Sequence, residues 1–108
     1  MMDLSTKKFI EDATSATTSE VFDNYKGDSI TLQASGTATS FSAKLQGKAD
    51  INADWKDVAL VNLKDLTVSS AISTTDIYQG SLTGVTQIRI SLDSVSGGNV
   101  TIFGRVTN

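Results

Sequence analysis

The stretch FSAKLQGKA, residues 41–49, decides the fold because its side chains change character at every position. The residues of one parity are apolar or small, namely Phe41, Ala43, Leu45, Gly47 and Ala49. The residues between them are all polar, namely Ser42, Lys44, Gln46 and Lys48. Successive side chains of a β-strand point to opposite faces, so this period of two predicts a strand with one buried and one solvated face.

The same period recurs on both sides of this stretch. The apolar positions of the other runs are Ile30, Leu32 and Ala34; Leu66, Val68 and Ile72; Ile88, Ile90 and Leu92; and Val100, Ile102 and Val106. Residues 55–63 carry apolar side chains at both even-numbered and odd-numbered positions, hence on both faces of an extended strand. This pattern predicts a strand that is buried on both faces or at an interface. Residues 76–82 form a seventh run, which is short and mixed. Seven strands at this spacing predict a sandwich or a barrel.

Turn-forming residues separate these runs. Ser96-Gly97-Gly98-Asn99 is typical of a tight hairpin, because glycine tolerates the positive φ that such a turn requires. We therefore expect the strands on either side of it to pair with each other.

The first twenty residues are predicted to form an N-terminal arm or an edge strand, and residues 21–108 the β-sandwich domain. Two interpretations of the beginning are open: strands at residues 6–10 and 18–22, or a short helix capped by Ser5 and running to Ala13. Counting the strands gives eight or nine. About eight strands suit an all-β fold, an antiparallel two-sheet sandwich of jelly-roll type.

The composition of the 108 residues favours extended structure and argues against most catalytic chemistry. Ser and Thr contribute 28 residues, charged residues are only 19 %, and Cys and His are absent. The chain therefore has no Ser-His-Asp triad, no thiol nucleophile, no disulfide and no zinc site of imidazoles or thiolates. The spacing of the acidic residues singles out no catalytic pair. We predict that the chain is not an enzyme and holds no cofactor.

The charge and the hydropathy of the chain exclude two classes of partner. The net charge is −3 and the basic residues are scattered, whereas nucleic-acid binding needs clustered Lys and Arg. The first ten residues lack the apolar run of a signal peptide, and no segment approaches the ~20 apolar residues that span a bilayer. We expect synthesis in the cytoplasm without a signal peptide, and neither nucleic-acid nor membrane partners.

One acidic stretch is similar to the start of a calcium-binding loop. Asp50, Asn52 and Asp54 alternate as the first oxygen ligands of such a loop do. However, Trp55 stands where that loop needs a Gly, and Val61 stands where it needs a bidentate Glu. We favour an acidic turn between strands and predict no metal site, with these three residues as the candidate ligands to be checked.

Three aromatic residues are candidates for contacts outside the core. Trp55 and Tyr78 could stack on the apolar face of a sugar ring, as aromatic residues do in carbohydrate-binding modules. The alternative for Trp55, which we favour, is a structural role at one end of the sandwich. Phe103 alternates with apolar residues in the same way as Thr101 and Arg105 do, so it lies on the outward face of its predicted strand. We therefore predict that it faces a neighbouring subunit rather than the core.

The chain contains two longer runs of strand and turn residues, ITLQASGTATSF at residues 30–41 and VSGGNVTIFGRV at residues 95–106. Both runs resemble small all-β virion proteins of tailed bacteriophages. The middle elements of that pattern correspond here to residues 47–55 and to Ile77-Tyr78. The resemblance covers residues 21–106 and rests on strand and turn patterns, without catalytic residues. It implies a jelly-roll-like component of a capsid decoration, neck, tail or fibre, often a trimer.

We therefore expect a non-enzymatic virion structural protein, made in the host cytoplasm, that acts by oligomerisation and by docking onto the particle. Its partners would be other virion proteins and further copies of itself, as a homotrimer or another homo-oligomer. Phe9 and Ile10 are apolar and precede a loose connector, so we predict that they anchor the arm on a neighbouring copy. The alternative is a carbohydrate-binding or host-adhesion module in which Trp55 and Tyr78 bind a host-surface glycan.

Overall fold

The computed structural model describes the backbone of residues 3–24 and 26–108, and the side chains from residue 6 onward. These residues form eleven strands and no helix, and so contain no helix that could cross a membrane. The strands are β1 (Asp3–Ala13), β2 (Thr17–Thr18), β3 (Phe22–Asp23), β4 (Ser29–Gly36), β5 (Ser40–Lys48), β6 (Lys56–Asp57), β7 (Leu60–Asn62), β8 (Val68–Ser69), β9 (Ile77–Ser81), β10 (Gln87–Ser96) and β11 (Val100–Thr107). The predicted all-β class is confirmed. Four of the strands are only two residues long, which is why the count exceeds the predicted eight.

The strands form two antiparallel sheets that pack as a sandwich. The larger sheet has the order β1-β11-β4-β9-β7-β8. The smaller sheet has the order β2-β10-β5-β6, and β3 also pairs with β10. The predicted antiparallel two-sheet sandwich is thus confirmed.

A long two-stranded ribbon, folded in half, builds the centre of this sandwich. β4 pairs with β11 in the larger sheet, and the last pair is Gly36 with Val100. β5 pairs with β10 in the smaller sheet, and the first pair is Ser40 with Ser96. Three residues of each chain segment lie between these two pairs, so the ribbon crosses from sheet to sheet without a change of register. A ribbon folded over in this way is the construction of a jelly roll.

The predicted hairpin at residues 96–99 is wrong. β10 and β11 lie in different sheets, so this turn is an arch that crosses from the smaller sheet to the larger one. Gly97 and Gly98 do have the positive φ that the prediction relied on, 75° and 150°. A sharp reversal within one sheet and an arch between two sheets both require such residues, and the local sequence does not distinguish them.

The two arches, residues 37–39 and 97–99, are hydrogen-bonded to each other. The NH groups of Thr37 and Ala38 both donate to the carbonyl oxygen of Asn99, at 3.0 Å each. The NH group of Thr39 donates to the carbonyl oxygen of Ser96, also at 3.0 Å. The arches therefore fix each other's position at one end of the sandwich.

The core consists mainly of the residues that the alternating pattern places inward. All the apolar positions quoted above from the runs at 30–34, 88–92 and 100–106 are buried, and so are Phe41, Ala43 and Leu45. Period-two burial on both sheets produces one continuous interior, as expected for a sandwich.

The described part of the N-terminal twenty residues packs on its own chain. β1 is an edge strand of the larger sheet and not the alternative short helix. Phe9 and Ile10 are adjacent in sequence, yet both are buried in the core. A register shift between Lys8 and Ile10 explains this, because a β-bulge turns two successive side chains to the same face. As anchors on a neighbouring copy, these two residues would first have to leave the core.

The predicted strand at residues 66–72 is largely absent. Only β8 forms there, Leu66 and Val68 are exposed, and Ile72 alone of its apolar positions is buried. Ile72 joins the smaller sheet through an isolated bridge with Ala43.

Residues 55–63 are not one strand either. They contain β6 in the smaller sheet and β7 in the larger sheet, so the chain changes sheets between them. This crossing explains why apolar residues occur at both even-numbered and odd-numbered positions. Leu60 packs into the core, whereas Leu63 is exposed on the outside.

Replacement of Gly98 by Ala should destabilise the fold more than the same change at Gly84. Both residues have positive φ, but a Cβ at Gly98 would lie 2.5 Å from the carbonyl carbon of Thr37, whereas a Cβ at Gly84 meets nothing within 4 Å. Gly84→Ala should cost about 1–2 kcal/mol from its left-handed backbone. Gly98→Ala should cost roughly 3 kcal/mol or more, because the arches must also separate. Urea unfolding followed by Trp55 fluorescence measures both, and equal losses would contradict the importance of the arch contact.

Candidate interaction surface

The outer face of the larger sheet is a surface whose side chains are in register across the strands. Strand pairing places Lys8, Phe103, Gln33 and Ile77 in one row. The NH group of Leu63 donates to the carbonyl oxygen of Ile77 at 2.9 Å, so Leu63 continues this row. The adjacent row consists of Thr6, Arg105, Thr31, Gln79, Val61 and Val68. We call this surface the docking face.

One half of the docking face is apolar. Leu63 and Ile77 are each 42 % exposed, Val68 is 68 % exposed, and Leu66 in the turn between β7 and β8 is 71 % exposed. We call these four residues the apolar half. Several large apolar side chains exposed together are typical of a surface that contacts another protein.

The other half of the docking face is basic. Lys8 lies opposite Phe103 on β1, Arg105 lies two residues beyond Phe103 on β11, and all three residues are exposed. We call these three residues the basic half. Neither row of the docking face contains an acidic residue, although the chain has twelve. Glu11 reaches Lys8 from the edge of the sheet at 3.1 Å.

Leu66 combines exposure with backbone strain. Its φ is 62°, in the left-handed region that costs a residue with a Cβ about 1–2 kcal/mol. Its NH group donates to the carbonyl oxygen of Asn62 at 2.7 Å, which holds it in the turn. Strain at a residue that adds nothing to the core points to a role at the surface.

The outer face of the smaller sheet is different, because its polar and charged groups are paired with one another. Lys44 Nζ lies 3.8 Å from carboxylate oxygens of both Asp57 and Asp93. Arg89 Nε donates to Gln46 Oε1 at 2.9 Å. Such exposed pairs contribute little stability, but they leave this face polar. The apolar surface of the sandwich is therefore concentrated on the docking face.

The structure does not bring the two predicted sugar-stacking aromatics together. Trp55 is half-buried against the smaller sheet, where Lys48 Nζ and the Arg89 guanidinium carbon lie 4.6 Å and 4.4 Å from its ring centroid. A sugar would have to displace these cations in order to stack on the indole. Tyr78 is buried in the core, and its hydroxyl is hydrogen-bonded to Thr74 Oγ1 at 2.5 Å.

Among the predicted contact residues, Phe103 is the one that lies on the docking face, with its side chain outward as its parity indicated. The four residues of the apolar half were missed. The alternating pattern places Leu66 and Val68 among the inward residues of a long strand, which the structure does not form. A turn signal was available, since Asn62 and Asp65 precede them and both accept hydrogen bonds from backbone NH groups two residues on.

The metal-site candidates lie in the loop between β5 and β6. Asp50 Oδ1 accepts a hydrogen bond from the NH group of Asn52 at 2.9 Å, and the Asp50 carbonyl oxygen accepts one from Ala53. The first carboxylate thus stabilises a turn, and Asp54 follows at its exposed end. Among the side chains that the structure describes, no three His, Cys, Asp or Glu are grouped closely enough to hold a metal ion.

Three comparisons relate this chain to known proteins. A family model described as XepA matches residues 3–106. The structure of the SPBc2 prophage-derived protein YomS superposes with a TM-score of 0.86 and 27 % identity, over 96 % of this chain and 92 % of that one. The structure of the PBSX exported protein XepA superposes with a TM-score of 0.88 and 20 % identity, over 94 % of this chain. No curated protein matches the chain by sequence.

The two structural neighbours differ in what they show. This chain spans only 37 % of XepA, and at this identity that match shows the fold alone. YomS is matched over nearly its whole length. Both neighbours are phage-derived, and the predicted resemblance to small all-β phage proteins is confirmed.

The carboxyl group of Asp76 accepts two hydrogen bonds from side chains. The hydroxyl of Thr74 donates to Asp76 Oδ2 at 2.5 Å, and Asn62 Nδ2 donates to the same atom at 3.1 Å. These two hydrogen bonds, that of Thr74 first, lower the pKa of Asp76 below its ordinary value. Because the pKa is lower in the folded state, the ionised Asp76 stabilises the fold at pH values above the ordinary carboxyl range. This contribution is lost as the pH falls through the folded-state pKa.

Thr74→Val should therefore raise the pKa of Asp76 towards its ordinary value, as measured by NMR titration of the side-chain carboxyl carbon. Thr67→Val is the matched control, since the hydroxyl of Thr67 lowers the pKa of Asp65 in the same way. This control should shift Asp65 and leave Asp76 nearly unchanged. An unchanged pKa of Asp76 in Thr74→Val would contradict the assigned cause.

Proposed function

Because this chain belongs to the XepA family, we propose that it is a non-enzymatic structural protein of a bacteriophage particle, which docks onto its neighbours through the docking face. The observation that carries this proposal is the exposure of Leu63, Leu66, Val68 and Ile77 together on one side of the sandwich. The phage-derived neighbours YomS and XepA support the phage context of the proposal.

Docking by a face, rather than by pairing at a sheet edge, agrees with the form of the two edge strands of the larger sheet. β8 has only two residues. β1 carries Lys7 and Lys8 and has three register shifts along its length. Short, bulged and lysine-bearing edges resist the addition of a further strand. Face-to-face packing of the apolar half is then the route to a partner.

The chemistry of the chain supports the non-enzymatic part of the proposal. The sequence contains no Cys, which is an intrinsically strong nucleophile, and no His, which is the most frequent general base and the usual activator of a Ser nucleophile. Of the carboxyls in the described part of the chain, Asp65 and Asp76 have a shifted pKa, and in both the pKa is lowered. A general acid at neutral pH needs the opposite shift, which burial without a hydrogen-bond donor would cause.

The partners in this proposal are other virion proteins and further copies of the chain, at a capsid decoration, neck, tail or fibre. A homo-oligomer would add stability by mass action, because each copy binds only folded copies. The docking face of each copy is formed by strands of the larger sheet, so assembly through it requires no rearrangement of the core.

Particles purified on a density gradient from cells that produce the phage should contain the chain, as detected by mass spectrometry. Leu66→Asn should reduce its incorporation severalfold or more, because an apolar contact is lost from the docking face. The same change should leave stability unchanged or raise it by up to about 1 kcal/mol, because Asn tolerates the left-handed region better than Leu.

Val21→Thr is the matched control for this experiment. Val21 is also an exposed apolar residue, at 49 %, but it lies between β2 and β3 and not on the docking face. This variant should enter particles as the native chain does. Absence of the native chain from purified particles would overturn the proposed function. A saturable change in Trp55 fluorescence with oligosaccharides would favour the carbohydrate-binding alternative instead.

A further inference from the structure

The turn between β7 and β8 carries the strained Leu66, and hydrogen bonds to a single residue, Asn62, hold this turn together. The NH group of Leu66 donates to the carbonyl oxygen of Asn62 at 2.7 Å, and the NH group of Asn62 donates to the carbonyl oxygen of Thr67 at 2.8 Å. The NH group of Lys64 donates to Asn62 Oδ1 at 2.9 Å. The backbone and the side chain of Asn62 thus bind three of the five residues that follow it.

The amide nitrogen of the same side chain links the turn to the segment that precedes β9. Asn62 Nδ2 donates to Asp76 Oδ2 at 3.1 Å, and the hydroxyl of Thr74 donates to the same oxygen. Because that hydroxyl has a single hydrogen, the hydroxyl of Tyr78 is the donor in its 2.5 Å contact with Thr74 Oγ1. Tyr78 is only 4 % exposed. An unbroken chain of hydrogen bonds therefore connects the turn with a tyrosine of the core.

The negative charge of Asp76 strengthens this connection, since a hydrogen bond to a carboxylate is stronger than one to a neutral acceptor. The hydrogen bond from Thr74, then that from Asn62, and more weakly the positive charge of Lys64 lower the pKa of Asp76. The other carboxylate of the turn, Asp65, does not compete for Asn62, because it accepts hydrogen bonds from the NH group and the hydroxyl of Thr67. The ionised Asp76 therefore keeps Asn62 as its donor at neutral pH.

Leu66 needs such support because core packing does not supply it. Its side chain is 71 % exposed, and its φ of 62° lies in the left-handed region. A residue with a Cβ stays in that region only where the surrounding structure over-determines its conformation. The strand that follows the turn, β8, has two residues and offers little restraint. The hydrogen bonds of Asn62 are the restraint that the structure provides.

We propose that Asn62 is a positioning residue of the docking face, which acts through Asp76 to hold the turn in the conformation that presents Leu63 and Leu66 together. This inference rests on the proposed function, and it adds how the apolar half is ordered before a partner binds. Without the link to Asp76, the turn would relax from its strained conformation, and a partner would have to order it again. A surface that is ordered in advance binds more tightly, because less conformational entropy is lost on binding.

The test exchanges the donor and the acceptor of this link. In Asn62→Asp the donor is lost and two carboxylates meet, so the turn should open. Exchange of the Leu66 amide hydrogen with solvent should become about tenfold faster or more, as measured by NMR. The double variant N62D/D76N again has one amide donor and one carboxylate acceptor, with their positions reversed. It should return the exchange rate to within about threefold of the native value.

Incorporation into purified particles should follow the exchange rate of Leu66, although none of these variants alters a residue of the apolar half. Asn62→Asp should enter particles severalfold less than the native chain, and N62D/D76N should enter as the native chain does. Asn62→Ala is the second single variant, since it removes the link without adding a charge, and it should also open the turn and reduce incorporation.

Two controls separate an opened turn from a general loss of structure. The NH group of Val85 donates to the carbonyl oxygen of Leu82 at 2.9 Å in a different turn, so its exchange should stay native in every variant. Asp93→Asn removes a carboxylate of the smaller sheet, which accepts a hydrogen bond from Ser91 at 2.8 Å. This change should alter neither the exchange of Leu66 nor the incorporation.

Three outcomes overturn the inference. They are native exchange of Leu66 in both single variants, a double variant that exchanges as fast as Asn62→Asp, and a variant with an opened turn that enters particles as the native chain does. The last of these leaves the proposed function standing without the positioning residue. Absence of the native chain from particles is a different failure: it overturns the proposed function, whereas the exchange rates still decide whether Asn62 holds the turn.

Discussion

The carbonyl oxygen of Asn99, which accepts hydrogen bonds from the NH groups of Thr37 and Ala38, is the contact on which the sandwich depends. It joins the two arches at the place where the central ribbon passes from one sheet to the other. Side chains alternate along a strand, so a slip of one residue in a single arch would turn every inward side chain of the following strand towards solvent. The joined arches prevent such a slip and keep the inward parity the same on both sheets. The composition of the two outer faces is a consequence of this register.

The outer faces of the two sheets differ in side-chain composition. The smaller sheet directs paired charges to solvent, with Lys44 between two carboxylates. The larger sheet directs Phe103, Ile77 and Leu63 outward in a single row. A solitary sandwich gains no stability from apolar side chains on its outside, and Leu66 even carries backbone strain there. This asymmetry between the two faces is the observation from which the proposed function is argued.

The alternation of side chains was enough to predict the long strands, because from residue 41 to residue 48 every second residue is buried and those between are partly exposed. It was not enough for topology. Gly97 and Gly98 have the same positive φ in an arch as in a hairpin, and the choice depends on β4 and β5, which lie far away in sequence. Phe9 and Ile10 violate the alternation because of a bulge, which only the pairing with β11 reveals. Phe103 could be assigned to the outside from its parity, whereas Val68 could not, because a two-residue edge strand has too short a pattern to show which face is covered.

The position of β11 between β1 and β4 affects how the protein is made. Residues 100–107 are synthesised after the ten other strands that the structure describes, yet both of their neighbours lie within residues 3–36. In the larger sheet, the edge strand β1 therefore has no neighbour between it and β4 until β11 has been synthesised. Contacts between residues so distant in sequence make folding slow. Lys7 and Lys8 lie on β1, and lysines on an unpaired strand disfavour the addition of a strand from another chain.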